Sequence, residues 1–120
     1  MGSPVKMGIV GLGRWARTLT QAVQQSSKLK IVAAYGVLPE ERKSYEAELG
    51  ARCGIRVTPD LPTLLADPEV EGAILTVPNE EHWPVAREVA RAGKHVYTEK
   101  PIANTVAEAL RIVDLQKLCT

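Results

Sequence analysis

The sequence predicts an α/β domain built on a doubly wound parallel sheet, and three observations lead to that prediction. Short apolar runs rich in β-branched residues alternate with segments whose apolar residues recur at helical spacing. The apolar runs show little polar alternation, which is typical of strands covered by helices on both faces. The chain has 120 residues, 45% of them hydrophobic and 24% charged, which fits one globular domain. Five strands alternating with helices give 3-2-1-4-5 as the default strand order.

The first two predicted strands enclose a glycine-rich turn. Residues 5–10 form a short apolar run that breaks at Gly11, and the next stretch repeats apolar residues at helical spacing. Residues 29–35 form a second apolar run with almost no polar positions. Residues 5–35 are therefore predicted to form a strand, a tight turn, a helix and a second, parallel strand.

The middle of the chain predicts a charged helix and an edge strand. The helix covers residues 40–49 and ends at Gly50, because a glycine can take the left-handed conformation that ends helices. Residues 55–57 then form a short third strand, which we expect at the edge of the sheet.

Two more strands follow in the second half. Residues 70–77 form the fourth and most apolar strand, and residues 95–98 form the fifth. The helix between them covers residues 80–92, starts with two acidic residues and ends at Gly93, as helix termini favour.

Cap signals mark two other helices. Asp60 is placed to cap a short helix over residues 61–66, which Asp67-Pro68 ends. Thr105 and Glu108 form a T-x-x-E capping box ahead of an amphipathic helix that runs to about residue 118.

Composition excludes several classes of function. Fifteen basic and fourteen acidic residues give a net charge of +1, so the basic surface of a nucleic-acid-binding protein is absent. The apolar runs are far shorter than the roughly 20 residues that cross a bilayer. Cys53 and Cys119 stand far apart and fit neither a disulfide scaffold nor a metal cluster. We expect a cytoplasmic domain with no nucleic-acid or membrane partner.

The turn after the first strand carries the pattern G-x-G-x-x-A. Gly11 permits the tight turn, Gly13 lets the backbone approach a pyrophosphate, and Ala16 lets helix and strand pack closely. The helix start then offers free N–H groups to the anion. The pattern predicts dinucleotide binding; a glycine-rich turn that merely connects two elements is the alternative. Arg14 either reaches the phosphates or is a solvated surface arginine.

The end of the second strand departs from the simple NAD pattern. An acidic residue is expected about 20 residues after the turn, but Gly36 and its neighbours carry none. Because a hydrogen bond to a charged group contributes about 1.5–3 kcal/mol, its loss weakens the preference for NAD by about 10- to 100-fold. The sequence therefore favours NADP slightly over NAD, with Arg14, Arg42 or Lys43 within reach of a 2′-phosphate. For Arg42 and Lys43, a solvated helix face is the favoured interpretation.

The turn after the fourth strand is a second candidate site. Pro78 offers an apolar surface on which a flat ring can rest, and Asn79 can cap the next helix. A strand stop followed by a helix start explains both residues without a ligand. His82, one turn further on, is either a site residue or a histidine satisfied within the helix start, and the structural role is favoured.

After the fifth strand come Glu99, Lys100 and Pro101. A lysine at the carboxyl end of a buried strand is costly unless it is paired or used. Close to a carboxylate, Lys100 can donate to a substrate hydroxyl or pass a proton as hydride leaves the adjoining carbon.

Three motifs together resemble a known family. G-L-G-R-W-A after the first strand, T-V-P-N-E-E-H after the fourth and G-K-H-V-Y-T-E-K-P at the fifth are similar to the nucleotide-binding half of Gfo/Idh/MocA oxidoreductases. The resemblance spans nearly the whole chain. It implies a Rossmann-type domain and hydride transfer between NAD or NADP and a carbinol or carbonyl carbon of a sugar, cyclitol or similar polyol.

The resemblance also implies roles for single residues. Gly11, Gly13 and Arg14 would contact the phosphates, while Glu99 would face the nicotinamide ribose and Lys100 the reacting hydroxyl. Pro78, Asn79 and His82 would line the nicotinamide side. The predicted catalytic residue is thus Lys100, and the predicted cofactor-binding residues are Gly11, Leu12, Gly13, Arg14, Trp15, Gly36, Val77, Pro78, Asn79, His82, Glu99, Lys100 and Pro101.

The resemblance raises expectations about the chain as a whole. Family enzymes continue into a second α/β domain, and their first domain adds a sixth strand, so residues 1–120 are expected to be the nucleotide-binding domain without either. Such a chain would bind cofactor with little turnover, and the open edge of its fifth strand predicts a homo-oligomer. A non-catalytic dinucleotide-sensing module and a purely structural domain are the alternatives.

Overall fold

Five short strands pair in parallel in the computed structural model, which describes residues 3–98 and 105–115. Their order is β3-β2-β1-β4-β5, which confirms the predicted topology. Val10 pairs with Tyr35 on one side and with Leu75 on the other, so the carboxyl ends of three strands lie side by side. The strands are β1 (Val5–Val10), β2 (Leu29–Tyr35), β3 (Arg56–Val57), β4 (Gly72–Leu75) and β5 (His95–Thr98).

Helices connect the strands and cover both faces of the sheet. A π-helical turn over Glu46–Gly50 joins the second helix to the third, and a 3-10 turn over Asn79–Glu81 leads into the fifth. None of the helices in the described ranges is long and apolar enough to span a membrane. The helices are α1 (Arg14–Val23), α2 (Pro39–Tyr45), α3 (Ala51–Cys53), α4 (Leu61–Ala66), α5 (His82–Arg91) and α6 (Val106–Asp114).

The core consists of apolar layers on the two faces of the sheet. Ile9 and Ile31 face a layer that includes Tyr45 of α2. Val10 and Leu75 belong to the other large layer, which includes residues of α5 and α6. Four consecutive residues are buried in the middle of β2 and all four are buried in β4, because helices cover both faces.

The helix predicted to end at Gly50 continues beyond it. Gly50 has φ −57 and lies inside the helical run, which ends at Cys53 with Gly54 in the left-handed conformation (φ 71). Ile55 N donates to Gly50 O at 2.8 Å, a bond found in glycine-terminated helix ends. A Cβ on residue 50 would lie 2.7 Å from Oε2 of the exposed Glu46 side chain, which would have to move aside.

The fourth strand is shorter than predicted, and Asn79 does not cap a helix. Sheet pairing in this strand is confined to residues 72–75 rather than 70–77. The turn at Asn79 has no side-chain cap and is closed by Glu81 N donating to Pro78 O at 2.8 Å. The backbone therefore satisfies this turn without the Asn79 amide.

The other two predicted caps are confirmed. Asp60 Oδ1 accepts from Thr63 N at 2.8 Å at the start of α4. Thr105 Oγ1 accepts from Glu108 N at 3.1 Å at the start of α6. Both helices thus begin where the sequence places them.

Candidate functional site

A crevice of about 730 Å³ opens at the carboxyl ends of β1, β2 and β4. One wall is the glycine turn after β1, the second is the end of β2 with the start of α2, and the third is the segment after β4. This is the point at which the winding of the sheet reverses, where open α/β sheets bind their ligands. The volume lies in the range of small-molecule sites.

Gly11 is required by the backbone of its own turn. Its φ is 99, a conformation that other residues rarely adopt. A Cβ there would also lie 2.7 Å from Thr76 O. Thr76 Oγ1 donates to Gly11 O at 2.7 Å, so the turns after β1 and β4 are held together. Gly11 therefore shapes the crevice through close packing of two turns.

Gly13 differs, because none of the described residues crowds it. Its φ is −79, and the nearest described atom to a Cβ there, Glu41 Oε2, would be as far as 3.8 Å away. Gly13 is also the N-cap of α1, with no side-chain cap and no acidic residue in the first turn. The first-turn N–H groups of α1 thus face open space beside the crevice, an arrangement suited to an anion.

Leu12 of the glycine turn packs against Gly36 at the end of β2. The Leu12 side chain is fully buried, and a Cβ on residue 36 would lie 3.0 Å from Leu12 Cγ. A side chain at position 36 would require the buried Leu12 to shift by a few tenths of an ångström. The packing of the glycine turn therefore favours a glycine at the end of β2.

Arg42 does not lie on a solvated helix face, which corrects the favoured interpretation of its sequence position. Its Nη1 donates to Gly36 O at 2.8 Å and to Val37 O at 3.1 Å. The guanidinium carbon stands 5.9 Å from the centre of the Tyr35 ring. Arg42 thus ties the start of α2 to the end of β2. Lys43, its neighbour, is exposed as expected.

His82 is almost completely buried behind the turn that follows β4. It is 1% exposed, and its Nε2 lies 3.1 Å from Val77 O. The imidazole therefore braces the backbone of this turn, in line with the structural role that the sequence favoured. Asn79 precedes it in the 3-10 turn.

The structure brings some of the predicted residues together at the crevice. The six that line it are Gly11, Leu12, Gly13, Gly36, Val77 and Pro78. Arg14 and Trp15 lie at the start of α1 with exposed side chains, and neither they nor Asn79 or His82 contribute to the lining. Glu99, Lys100 and Pro101 lie outside the described residues.

Sequence reasoning missed Glu41. Its side chain is half-buried, lines the crevice and points its Oε2 toward Gly13. It stands within a run of charged residues on α2, where a solvated face was expected. Only the orientation of α2 against the glycine turn distinguishes it from its neighbour Glu40, which is exposed.

A separate group of charges lies away from the crevice. Asp67 accepts from Glu69 N at 2.9 Å and bonds to Arg56, and both contacts lower the pKa of its carboxyl. Lys6 and Arg56 both pair with Glu69 and lower its pKa as well. These pairs hold loops near the starts of β1, β3 and β4.

Comparison with known proteins places the chain among oxidoreductases. The sequence profile of an oxidoreductase family with an NAD-binding Rossmann fold, Gfo/Idh/MocA, matches residues 5–118. An inositol 2-dehydrogenase from Acidothermus cellulolyticus is 32% identical over 119 residues, which are 94% of this chain and 33% of that protein. The chain thus spans about a third of the length of this relative.

Two solved structures share the fold. A Desulfitobacterium hafniense protein, provisionally described as an NADPH-dependent oxidoreductase, superposes with a TM-score of 0.89 at 38% identity. The match covers 98% of this chain and 33% of that protein. The WlbA dehydrogenase from Bordetella pertussis, solved with NADH and UDP-GlcNAcA, gives a TM-score of 0.82 at 31% identity. Here the match covers 97% of this chain and 34% of that one.

Proposed function

The chain belongs to the Gfo/Idh/MocA oxidoreductase family, and from this premise we propose that its crevice holds a nicotinamide dinucleotide for hydride transfer at a CH–OH carbon. Residues 1–120 would form the NAD(P)-binding domain of that enzyme. NAD(P)-binding Rossmann domains characterise the family. The substrate class and the site residues are part of the proposal.

The observation that carries the proposal is the open space at Gly13. Among residues 3–98 and 105–115, a Cβ at this position would meet its nearest neighbour at 3.8 Å, so packing within this part of the chain does not explain the glycine. Close approach of a pyrophosphate to the backbone does explain it. Gly13 and the first-turn amides of α1 would hold the phosphates, and Pro78 would support the nicotinamide.

The chemistry needs a hydride carrier and a proton relay. A bound nicotinamide ring supplies the hydride acceptor or donor. Lys100 would hold or release the proton of the reacting hydroxyl, and Glu99 beside it would bind the adjoining ribose. A sugar, cyclitol or similar polyol is the substrate class, supported by the relative named inositol 2-dehydrogenase and by the sugar nucleotide bound in WlbA.

Turnover would need more protein than these 120 residues. The relatives are about three times as long, and their remaining length would supply the cover of the substrate site. We expect the 120-residue chain to bind cofactor with little or no turnover. We also propose that it self-associates through the edge of β5.

The proposal is tested by titrating the chain with NADH and NADPH and following cofactor fluorescence. We expect saturable binding that Gly13→Ala weakens about tenfold or more, equivalent to about 1.4 kcal/mol of lost contact. The free energy of unfolding should change by less than about 1 kcal/mol, because φ at residue 13 suits alanine and the space is open.

Thr18→Ala is the matched control, because this exposed residue lies one turn further along the same helix. It should leave both affinities unchanged. Failure of the chain to bind either nucleotide would contradict the proposal and favour a purely structural domain.

The role of Lys100 is tested in the full-length enzyme. Lys100→Ala should lower kcat about 100-fold or more with a small change in cofactor affinity, because a positioned proton relay contributes on that scale. Lys43→Ala, which removes an exposed lysine of α2, is the control and should keep full activity. A full-length protein that binds the cofactor but shows no turnover with polyols or sugars would instead be a dinucleotide-sensing module.

A further inference from the structure

A carboxylate enters the crevice from α2, next to the glycine turn. Glu41 lines the crevice beside Val37 and Leu38, and its Oε2 is the nearest atom to the open position above Gly13. The described residues give it no ion pair or hydrogen bond. Its charge is therefore available to a ligand that rests on the glycine turn.

The position from which an acid usually reaches this part of the crevice is closed. In dinucleotide-binding sheets an acidic residue at the end of the second strand binds the ribose 2′-hydroxyl. Here residue 36 is a glycine, and a Cβ added to it would lie 3.0 Å from Leu12 Cγ. Glu41 supplies a carboxylate to the same corner from the helix that follows β2.

Two basic residues of α2 follow Glu41 in the sequence, and neither of them lines the crevice. The Nη1 of Arg42 is held by two backbone carbonyls, and both Arg42 and Lys43 line a separate, open depression beside β3. Within the described part of the chain, the crevice is lined by Glu41 and Glu81 but by no lysine or arginine. A 2′-phosphate in the crevice would meet carboxylates, while the Nη1 of Arg42 at the end of β2 is already bound to two carbonyls.

We propose that Glu41 is the residue that selects the cofactor, by accepting a hydrogen bond from the adenosine ribose of NAD and repelling the 2′-phosphate of NADP. This inference rests on the proposed function, and it reverses the slight preference for NADP that the sequence alone favours. In this proposal Glu41 takes the place of the acid that is absent from the end of β2, where Leu12 packs against Gly36.

The test compares dissociation constants of NADH and NADPH for the chain and for two matched variants. The unmodified chain should bind NADH more tightly. Glu41→Gln should reduce the ratio of the two affinities about tenfold or more, the scale of a lost hydrogen bond to a charged group. Glu40→Gln removes the adjacent, exposed first-turn acid and should leave the ratio within about twofold.

Ionic strength separates the two proposed contributions of Glu41, the hydrogen bond from the ribose and the repulsion of the 2′-phosphate. Raising the ionic strength should strengthen the relative binding of NADPH to the chain, because screening weakens the repulsion by Glu41. In Glu41→Gln this salt dependence should shrink. Glu40 shares the helix-dipole contribution of Glu41, so a carboxylate that served only α2 would alter stability equally in both variants and leave the ratio unchanged.

Two results would overturn the inference while leaving the proposed function intact. One is tighter binding of NADPH than of NADH by the unmodified chain. The other is a ratio that Glu41→Gln does not change. If neither nucleotide binds, the proposed function itself fails, so the two failures are distinguishable.

Discussion

A buried pair of hydroxyl groups joins helices α1 and α2, whose first turns lie beside the crevice. Thr20 Oγ1 donates to Ala16 O at 2.7 Å, which uses its single proton. Tyr45 therefore donates its own proton to Thr20 Oγ1, at 2.8 Å. Both side chains are 0% exposed, so the neutral phenol is strongly favoured, and burial raises the pKa of Tyr45 to about 12.

Tyr45→Phe should lower the free energy of unfolding by about 1 kcal/mol at neutral pH, because one buried hydrogen bond is lost while Thr20 keeps its backbone acceptor. The raised pKa of Tyr45 adds a pH dependence. Its stabilising effect is fully present below about pH 10, the ordinary pKa of tyrosine, and is lost as the pH rises toward 12.

Urea unfolding between pH 8 and pH 11 measures the pH dependence of the free energy of unfolding. The unmodified chain should lose stability above pH 10 more steeply than Tyr45→Phe, and Tyr97→Phe, at an exposed tyrosine, should behave like the unmodified chain. Equal slopes for all three proteins would show that Tyr45 ionises in the folded state as easily as in the unfolded state.

At the scale of elements, the sequence predicts well where local chemistry decides. Residues 5–10, 29–35 and 95–98 form strands with the predicted bounds, because turn residues and apolar runs delimit them in the sequence itself. The cap at Asp60 is equally local. The prediction at Gly50 was wrong because Gly50 and Gly54 both satisfy the same glycine rule, and only Gly54 takes the left-handed conformation that ends the helix.

The candidate site likewise contains features that the sequence predicts and features that it does not. The glycine turn could be found from its spacing, since the whole G-x-G-x-x-A pattern lies within six residues, whereas the close approach of Thr76 to Gly11 is not visible in the sequence. The roles of Glu41 and Arg42 could not, because they are adjacent in sequence and only the orientation of α2 sends one to the crevice and the other to Gly36 O. Periodicity reports which residues share a face, but it does not report what that face meets.

At the scale of the whole molecule, the two ends of the sheet differ. Strand β3 has only two residues, which leaves little edge for pairing. Strand β5 has four, and in the described part of the chain it pairs only with β4. Its Tyr97 is 52% exposed, and α6 exposes Leu110 and Val113 by 62% and 52%. Within the described residues, the β5 end therefore combines a backbone edge that has no second strand partner with exposed apolar side chains.

This end of the sheet is where we expect a second copy of the chain to bind, so the mass from light scattering should rise with protein concentration. Tyr97→Lys should keep the chain monomeric over the same series, because a lysine on an edge strand opposes pairing. Leu29→Lys, at an exposed apolar position on the interior strand β2, is the control and should leave association intact. A constant monomeric mass for the unmodified chain would contradict the prediction, and equal dissociation by both variants would assign the effect to added charge rather than to the β5 edge.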